Sequence, residues 1–498
     1  MMNYLIIPMG GKGKRFLEAG YKIYKPFLPI SKNLTITDNL IKNFDTNKVE
    51  TIIIGNKNQI KKYKIKKIKK VKIINIENHN KGPLYSIFLA IDELKRIVKQ
   101  NRLFICYSDV NWIWDFNKIK NFIKKKKSVI FTHKGFHPHL EVDHKSDFCL
   151  TNRNGTIKSI SQKKTHFSDY KKESLAIGCY YFKNLNLIFN EIKNFDFFQS
   201  KKKNIEFYLV SLIRILIKKR ISIFSKQINK FVHLGNPEQY QDFLSWKKII
   251  KENLKKQPIL NNFNNIMLMA GKGKRMRLLN EKKPFLKIKN SKIYDYIFQR
   301  FGAKKNIIIT NSNYFNNINK SKYLVYKIDN TNSMFSTFEK SKFFISNFSK
   351  YFLTSCDCFG GIQKYKFENF LKQKNPDIVV FGYKFSNLQK NLSKSHTELI
   401  LKNNSLVKIN VKKNSSNSKI GHAGFFWIKN QEVFKYFNNF KIFVKKNIKN
   451  REILVDDYFS FLLRFNLMKV KYFHLDYYIH IGSPSEYNEF NYWDKYFK

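Results

Sequence analysis

Apolar residues along this chain fall into short runs separated by Lys-rich amphipathic stretches. Tyr4-Leu5-Ile6-Ile7, Thr51-Ile52-Ile53-Ile54, Leu103-Phe104-Ile105-Cys106 and Ile266-Met267-Leu268-Met269 are examples. Such runs, bounded by polar segments, read as buried strands. Their alternation with amphipathic segments predicts an α/β fold with a mainly parallel mixed sheet flanked by helices. No run reaches the roughly 18 apolar residues that a membrane span needs. Met1 to Pro8 is short and enters a glycine loop directly, so it reads as a first strand rather than a leader. The expectation is a soluble, cytoplasmic protein.

The pattern occurs twice. Gly10-Gly11-Lys12-Gly13-Lys14-Arg15-Phe16 follows one apolar run, and Ala270-Gly271-Lys272-Gly273-Lys274-Arg275-Met276 follows another. Lys25-Pro26-Phe27-Leu28 comes after the first loop and Lys283-Pro284-Phe285-Leu286 after the second. Ser108-Asp109 corresponds to Ser355-Cys356-Asp357, and the segment opening at Gly178 to the one opening at Gly424. His233-Leu234-Gly235-Asn236-Pro237 corresponds to His480-Ile481-Gly482-Ser483-Pro484, with Trp246 and Trp493 further on. Landmarks in one order predict a tandem duplication. The expected boundaries are a first domain over 1–250, a linker over 251–264 and a second, more diverged domain over 265–498. Lys247 to Asn264 reads as a closing helix that runs into a polar linker.

Length agrees with this division, since 498 residues exceed one ordinary core. The formal charge of +58, from 94 Lys+Arg against 36 Asp+Glu, would suit a nucleic-acid binder. The excess is nearly all Lys and is spread along the whole chain with Asn, Ile, Phe and Tyr, as A/T-rich codons would produce. It therefore points to no specific nucleic-acid partner, although a general attraction for anions remains. The five cysteines are odd in number and irregular in spacing, which argues against a disulfide framework.

A strand, a glycine loop and a helix start form an anion site, because glycines let backbone N–H groups approach a phosphate. Gly10, Gly11, Gly13 and Lys14, and in the second copy Gly271, Gly273 and Lys274, are the candidate nucleotide-binding residues. Neither loop has the G-x-x-x-x-G-K-[ST] pattern or the third glycine of the dinucleotide fingerprint. Arg15 and Arg275 are candidates to grip phosphate oxygens in a bidentate way, and Lys25 and Lys283 supply point charges. Asp109 and Asp357 stand at strand ends, where ligands of open α/β sheets gather.

The stretch from Ile6 to Phe16, followed by Ala19-Gly20-Tyr21 and Lys25-Pro26, resembles the opening of sugar-phosphate nucleotidyltransferases. It is most similar to the branch found among capsule and lipopolysaccharide biosynthesis enzymes. The resemblance covers nearly all of 2–246 and, more loosely, 265–498. It implies a Rossmann-like, glycosyltransferase-A-like fold that joins a nucleoside triphosphate to a phosphorylated sugar, with magnesium, and releases pyrophosphate. It further implies metal ligation by Asp109 and Asp357 and a nucleobase contact at Gly82, with Asn332 at the matching place. Lys163 would contact the sugar phosphate, and Lys412-Lys413 is its nearest match. Gly135-Phe136-His137-Pro138-His139 would lie on the sugar side.

The chain departs from the family where His233 and His480 replace a second metal-binding Asp. Glu206 and Asp456 are the candidate substitutes. The expected chemistry is attack of an acceptor phosphate oxygen on the α-phosphorus, through positioning and charge stabilisation. Other readings stay open. These are a phosphocholine-type cytidylyltransferase, one catalytic copy beside a binding or regulatory copy, or a basic nucleic-acid-binding protein. An oligomer is compatible with the sequence.

Overall fold

The computed structural model describes residues 3–44, 48–63, 71–99, 101–141, 146–197, 206–254, 260–271, 281–384, 396–412, 420–448 and 451–498. The chain forms two compact units, residues 1–245 with Lys498 and residues 246–497. The stretch expected as a linker is anchored in the second unit where it is described. Leu254, Leu260 and Phe263 are buried. The Arg300 guanidinium donates to the carbonyls of Asn253 at 3.3 Å and Leu254 at 3.0 Å.

Five strands make the centre of the first unit: β1 (Asn3–Pro8), β2 (Val49–Gly55), β3 (Val71–Asn75), β4 (Arg102–Cys106) and β5 (Ser174–Phe182). Their order is β3-β2-β1-β4-β5. The first four are parallel, and β5 runs antiparallel to β4. Side chains alternate between two cores. Leu5 and Ile7 join Ile53, Phe104 and Cys106 on one face, while Tyr4 and Ile6 join Ile52, Leu103 and Ile105 on the other. A sheet buried on both faces needs continuous apolar strands, which is why these runs are so plain in the sequence. Leu209–Lys218 covers one face with Leu209, Leu212, Ile213 and Leu216, the spacing of one helical stripe.

The second unit has β6 (Asn264–Met269), β7 (Lys305–Thr310), β8 (Leu324–Lys327), β9 (Tyr351–Ser355) and β10 (Ile420–Ile428). Their order is β8-β7-β6-β9-β10, with β10 again antiparallel to its neighbour. Parallel strands ordered 3-2-1-4 are Rossmann-like, and the order reverses between the first strand and the fourth. In the first unit the glycine loop leaves β1 and Asp109 follows β4, so both stand at that crevice. In the second unit Gly271 and Asp357 take the same places after β6 and β9.

A short antiparallel ribbon closes each crevice. Val110–Ile113 pairs with Lys230–His233, which sets His233 opposite Val110. Cys358–Gly360 pairs with Tyr478–His480, which sets His480 opposite Cys358. Among the described residues no helix is long and apolar enough to cross a membrane.

Candidate active site

The Lys-Pro-Phe step folds as a single 3-10 turn in each unit, Lys25–Phe27 and Lys283–Phe285. Proline in the first turn of a helix pre-sets φ and loses no needed N–H. The turn aims its Lys at the strand-end Asp. Lys25 Nζ donates to Asp109 Oδ2 at 2.8 Å, and Lys283 Nζ donates to Asp357 Oδ2. The histidines arrive on the ribbons. His233 Nε2 lies 3.7 Å from Asp109 Oδ2, and His480 Nε2 lies 3.6 Å from Asp357 Oδ2. The backbone completes the arrangement, since Leu234 N donates to Asp109 O at 2.8 Å and Ile481 N to Asp357 O at 2.6 Å. Gly235 leaves room for the imidazole, because a Cβ there would come within 2.6 Å of His233 Cε1.

Burial alone would raise the pKa of Asp109, but Lys25, His233 and Arg15 outweigh it and hold the carboxylate well below its usual range. Lys283 and His480 do the same for Asp357. Both carboxylates are therefore ionised at neutral pH. The histidines differ. Burial, aided by Lys25, lowers the pKa of His233 against the pull of Asp109. Burial also opposes the charge on His480, but Asp357 and Glu486 raise it to about 9. His480 bonds more closely to its Asp, and a substitution adds a second carboxylate. Glu486 Oε1 sits 2.7 Å from His480 Nδ1, whereas Gln239 holds the equivalent place in the first unit and accepts from Gly235 N at 3.0 Å.

The glycine loop is shaped by what packs beneath it. A Cβ on Gly10 would meet His79 Nε2 at 2.6 Å and Ser86 Oγ at 2.7 Å, while Gly11 faces open space. The Tyr24 hydroxyl donates to the carbonyls of Met9 and Gly11. Gly13 takes φ +67° and opens the helix Lys14–Glu18. At five residues that helix has a small dipole. Side-chain cations therefore carry most of the attraction for anions. Arg15 is exposed yet acts on Asp109 and Tyr208. Lys14 is exposed and lies 3.6 Å from Glu18.

Gly82, at φ +82°, packs on the backbone of Phe207, where a Cβ would come within 2.6 Å of the carbonyl oxygen. Next to Phe207, Tyr208 donates its hydroxyl to Glu206. Lys163 Nζ lies 3.7 Å from Glu206 Oε2 and 5.1 Å from the Tyr208 ring centre. The Phe207–Tyr208 step thus joins the Gly82 segment to the Lys163 segment. Lys163 has φ +54° two residues past a strand end, and Lys412 has φ +49° in the matching place.

The crevice of the second unit is a cavity of about 660 Å³, lined by Gly271, Lys283, Asn332, Ser333, Cys356 and Asp357 among others. Ser333 replaces the Gly-Pro helix entry by accepting from Ser336 N at 3.0 Å. Gly271 O accepts from the Tyr314 hydroxyl at 3.1 Å. Gly273, Lys274 and Arg275 lie outside the described residues, as does Lys413.

Two expectations are corrected. His137 and His139 do not face a ligand. Both are buried, and His139 joins Asp242 Oδ2 at 3.1 Å and His233 O at 3.2 Å. They support the ribbon that carries His233. Asp456 is not a spare metal ligand either, because it is buried against His422 Nδ1 at 2.7 Å.

No protein-family model matches the chain, and no curated protein sequence does. Similar solved structures include a nucleoside-diphosphate-sugar pyrophosphorylase from Vibrio cholerae RC9. It is 19% identical, with 48% of this chain and 99% of that one covered and a TM-score of 0.40. An inositol-1-phosphate CTP transferase from T. maritima is 16% identical, with 48% and 98% covered and a TM-score of 0.38. A UDP-glucose pyrophosphorylase complexed with UDP-glucose is 18% identical, with 49% and 97% covered and a TM-score of 0.39.

Several site residues escape a reading of the sequence. His79 and Ser86 define the floor under Gly10, and Tyr24 and Tyr314 clamp the two loops. The only local signal for His79 is its place just before Gly82-Pro83. Nothing local marks Gln239 and Glu486 as the residues that set the two histidines apart.

Proposed function

We propose that the chain is a tandem nucleotidyltransferase that transfers a nucleoside monophosphate from a triphosphate to a phosphorylated small acceptor, with a sugar 1-phosphate as the best fit. The observation that carries this reading is the Lys–Asp–His group at the same crevice of both units. Lys25 and Arg15 provide positive charge beside the glycine loop, where a triphosphate would lie. Lys163, which lies beside Tyr208 and Glu206, would contact the acceptor phosphate.

An acceptor phosphate oxygen would form a bond to the α-phosphorus while the α–β bridging P–O bond breaks and pyrophosphate leaves. The attacking dianion is already a nucleophile, so no general base is required. Lys25 and Arg15 would stabilise charge on the transferring and leaving groups, a contribution of several kcal/mol when donors are preorganised.

Asp109 suits magnesium. It is ionised, and its Oδ1 has no hydrogen-bond partner among the described residues. Magnesium is commonly held by one or two carboxylates together with substrate phosphates. When bound, it would supply charge neutralisation at those phosphates. Asp357 offers less, because Ser355 Oγ donates to its Oδ1 at 2.5 Å and Lys283 to its Oδ2. An ion there would compete with these donors for the carboxylate. This favours a second reading, in which the first unit is catalytic and the second binds a phosphorylated ligand.

The resemblance to capsule and lipopolysaccharide enzymes supports a role in making an activated sugar for surface polysaccharide. A screen of the four common triphosphates against sugar phosphates, followed by pyrophosphate release, tests the reading. One productive pair is expected, with Lys25→Met losing at least about 100-fold in kcat. Activity unchanged in Lys25→Met would contradict the assignment.

A further inference from the structure

We infer that the second unit carries a transition-metal site, suited to zinc, built from His396, His480 and Glu486. One donor atom from each residue lies within 4.8 Å of the other two. The three come from separate elements. His396 precedes the strand Glu398–Lys402, His480 ends Tyr478–His480, and Glu486 lies in the first turn of Pro484–Phe497. Long-range folding therefore assembles the group, and all three side chains are half-buried.

The surroundings orient each donor. Glu486 Oε2 accepts from Gly482 N at 3.1 Å and Ser483 Oγ at 2.8 Å, which turns Oε1 toward His480 Nδ1. On its other side His480 presents Nε2 to the Asp357 carboxylate at 3.6 Å. His396 Nδ1 lies 3.3 Å from the Tyr383 hydroxyl, and the Tyr383 ring stacks on Tyr478 at 4.1 Å. Ring nitrogens of metal-binding histidines are usually fixed this way, with the second nitrogen held by a carboxylate or another polar group.

Two imidazoles and a carboxylate are a zinc-type donor set, and three protein donors leave a tetrahedral ion one open position. The set is a poor one for magnesium, which prefers oxygen. Among the described residues the first unit has no such group. Phe148 pairs with Leu175 as Glu398 pairs with Gly421, which puts Ser146 in the place of His396. Gln239 stands for Glu486, six residues after the histidine in both units. Among the described residues the donor set is thus found in the second unit, where it shares His480 with the Lys–Asp–His group.

The test uses the full, tag-free chain, stripped of metal and titrated with Zn²⁺ by equilibrium dialysis and with Co²⁺ by visible absorption. One specific ion per chain is expected, with the strong visible bands of tetrahedral cobalt and no displacement by millimolar Mg²⁺. His396→Ala and the isosteric Glu486→Gln should each weaken binding at least tenfold, while His233→Ala leaves it unchanged. Circular dichroism confirms that the variants fold. Absence of a specific ion at micromolar concentration, or binding untouched by both variants, would overturn the assignment.

Discussion

His233 and His480 occupy the same place beside a buried Asp, yet their partners make them chemically different. Asp357 and Glu486 together raise the pKa of His480 to about 9, while burial keeps His233, which has Gln239 in place of the Glu, below its usual value. A histidine whose folded pKa lies above its unfolded value stabilises the fold fully below about pH 6.5. That contribution fades as pH rises through the folded pKa. The second unit should therefore lose up to about 3 kcal/mol between about pH 6.5 and 9 in the presence of a chelator. Thermal melts across that range check this. Glu486→Gln should flatten the dependence, and an unchanged slope would show that the Glu486–His480 pair is not responsible.

Glycines and strand ends decide the site at the level of elements. Gly82 has φ +82° and sits against the Phe207 backbone, while Gly11 faces open space with ordinary φ. Gly82→Ala should cost more than about 1 kcal/mol, since both strain and overpacking apply. Gly11→Ala should stay within about 0.5 kcal/mol. Parallel melts of the two variants separate the loop that is packed from the loop that is open. The same contrast explains what the sequence made legible. Strands buried on both faces leave continuous apolar runs, so β1, β2, β4 and β6 could be read directly. The Lys-Pro turn and the strand-end Asp could be read because each is local and occurs twice. The histidines of Gly135–His139 could not, because their partner Asp242 is distant in the chain and joins His139 only through folding. His396 and Glu486 are hidden for the same reason.

Two units with one strand order and one Lys–Asp–His group make a molecule with two related crevices. They differ in the helix entry, where Gly82-Pro83 gives way to Asn332-Ser333, and in the partner of the histidine. Different ligands are therefore expected in the two units, and a screen with a single triphosphate should reveal one dominant activity. The most direct test is pyrophosphate release by the intact chain with Asp109→Ala, Asp357→Ala and the double variant, using the productive substrate pair. Loss of at least about 100-fold in Asp109→Ala, with folding intact by circular dichroism, is the predicted result. Full activity in the double variant would contradict the assignment of these crevices as the site of nucleotidyl transfer.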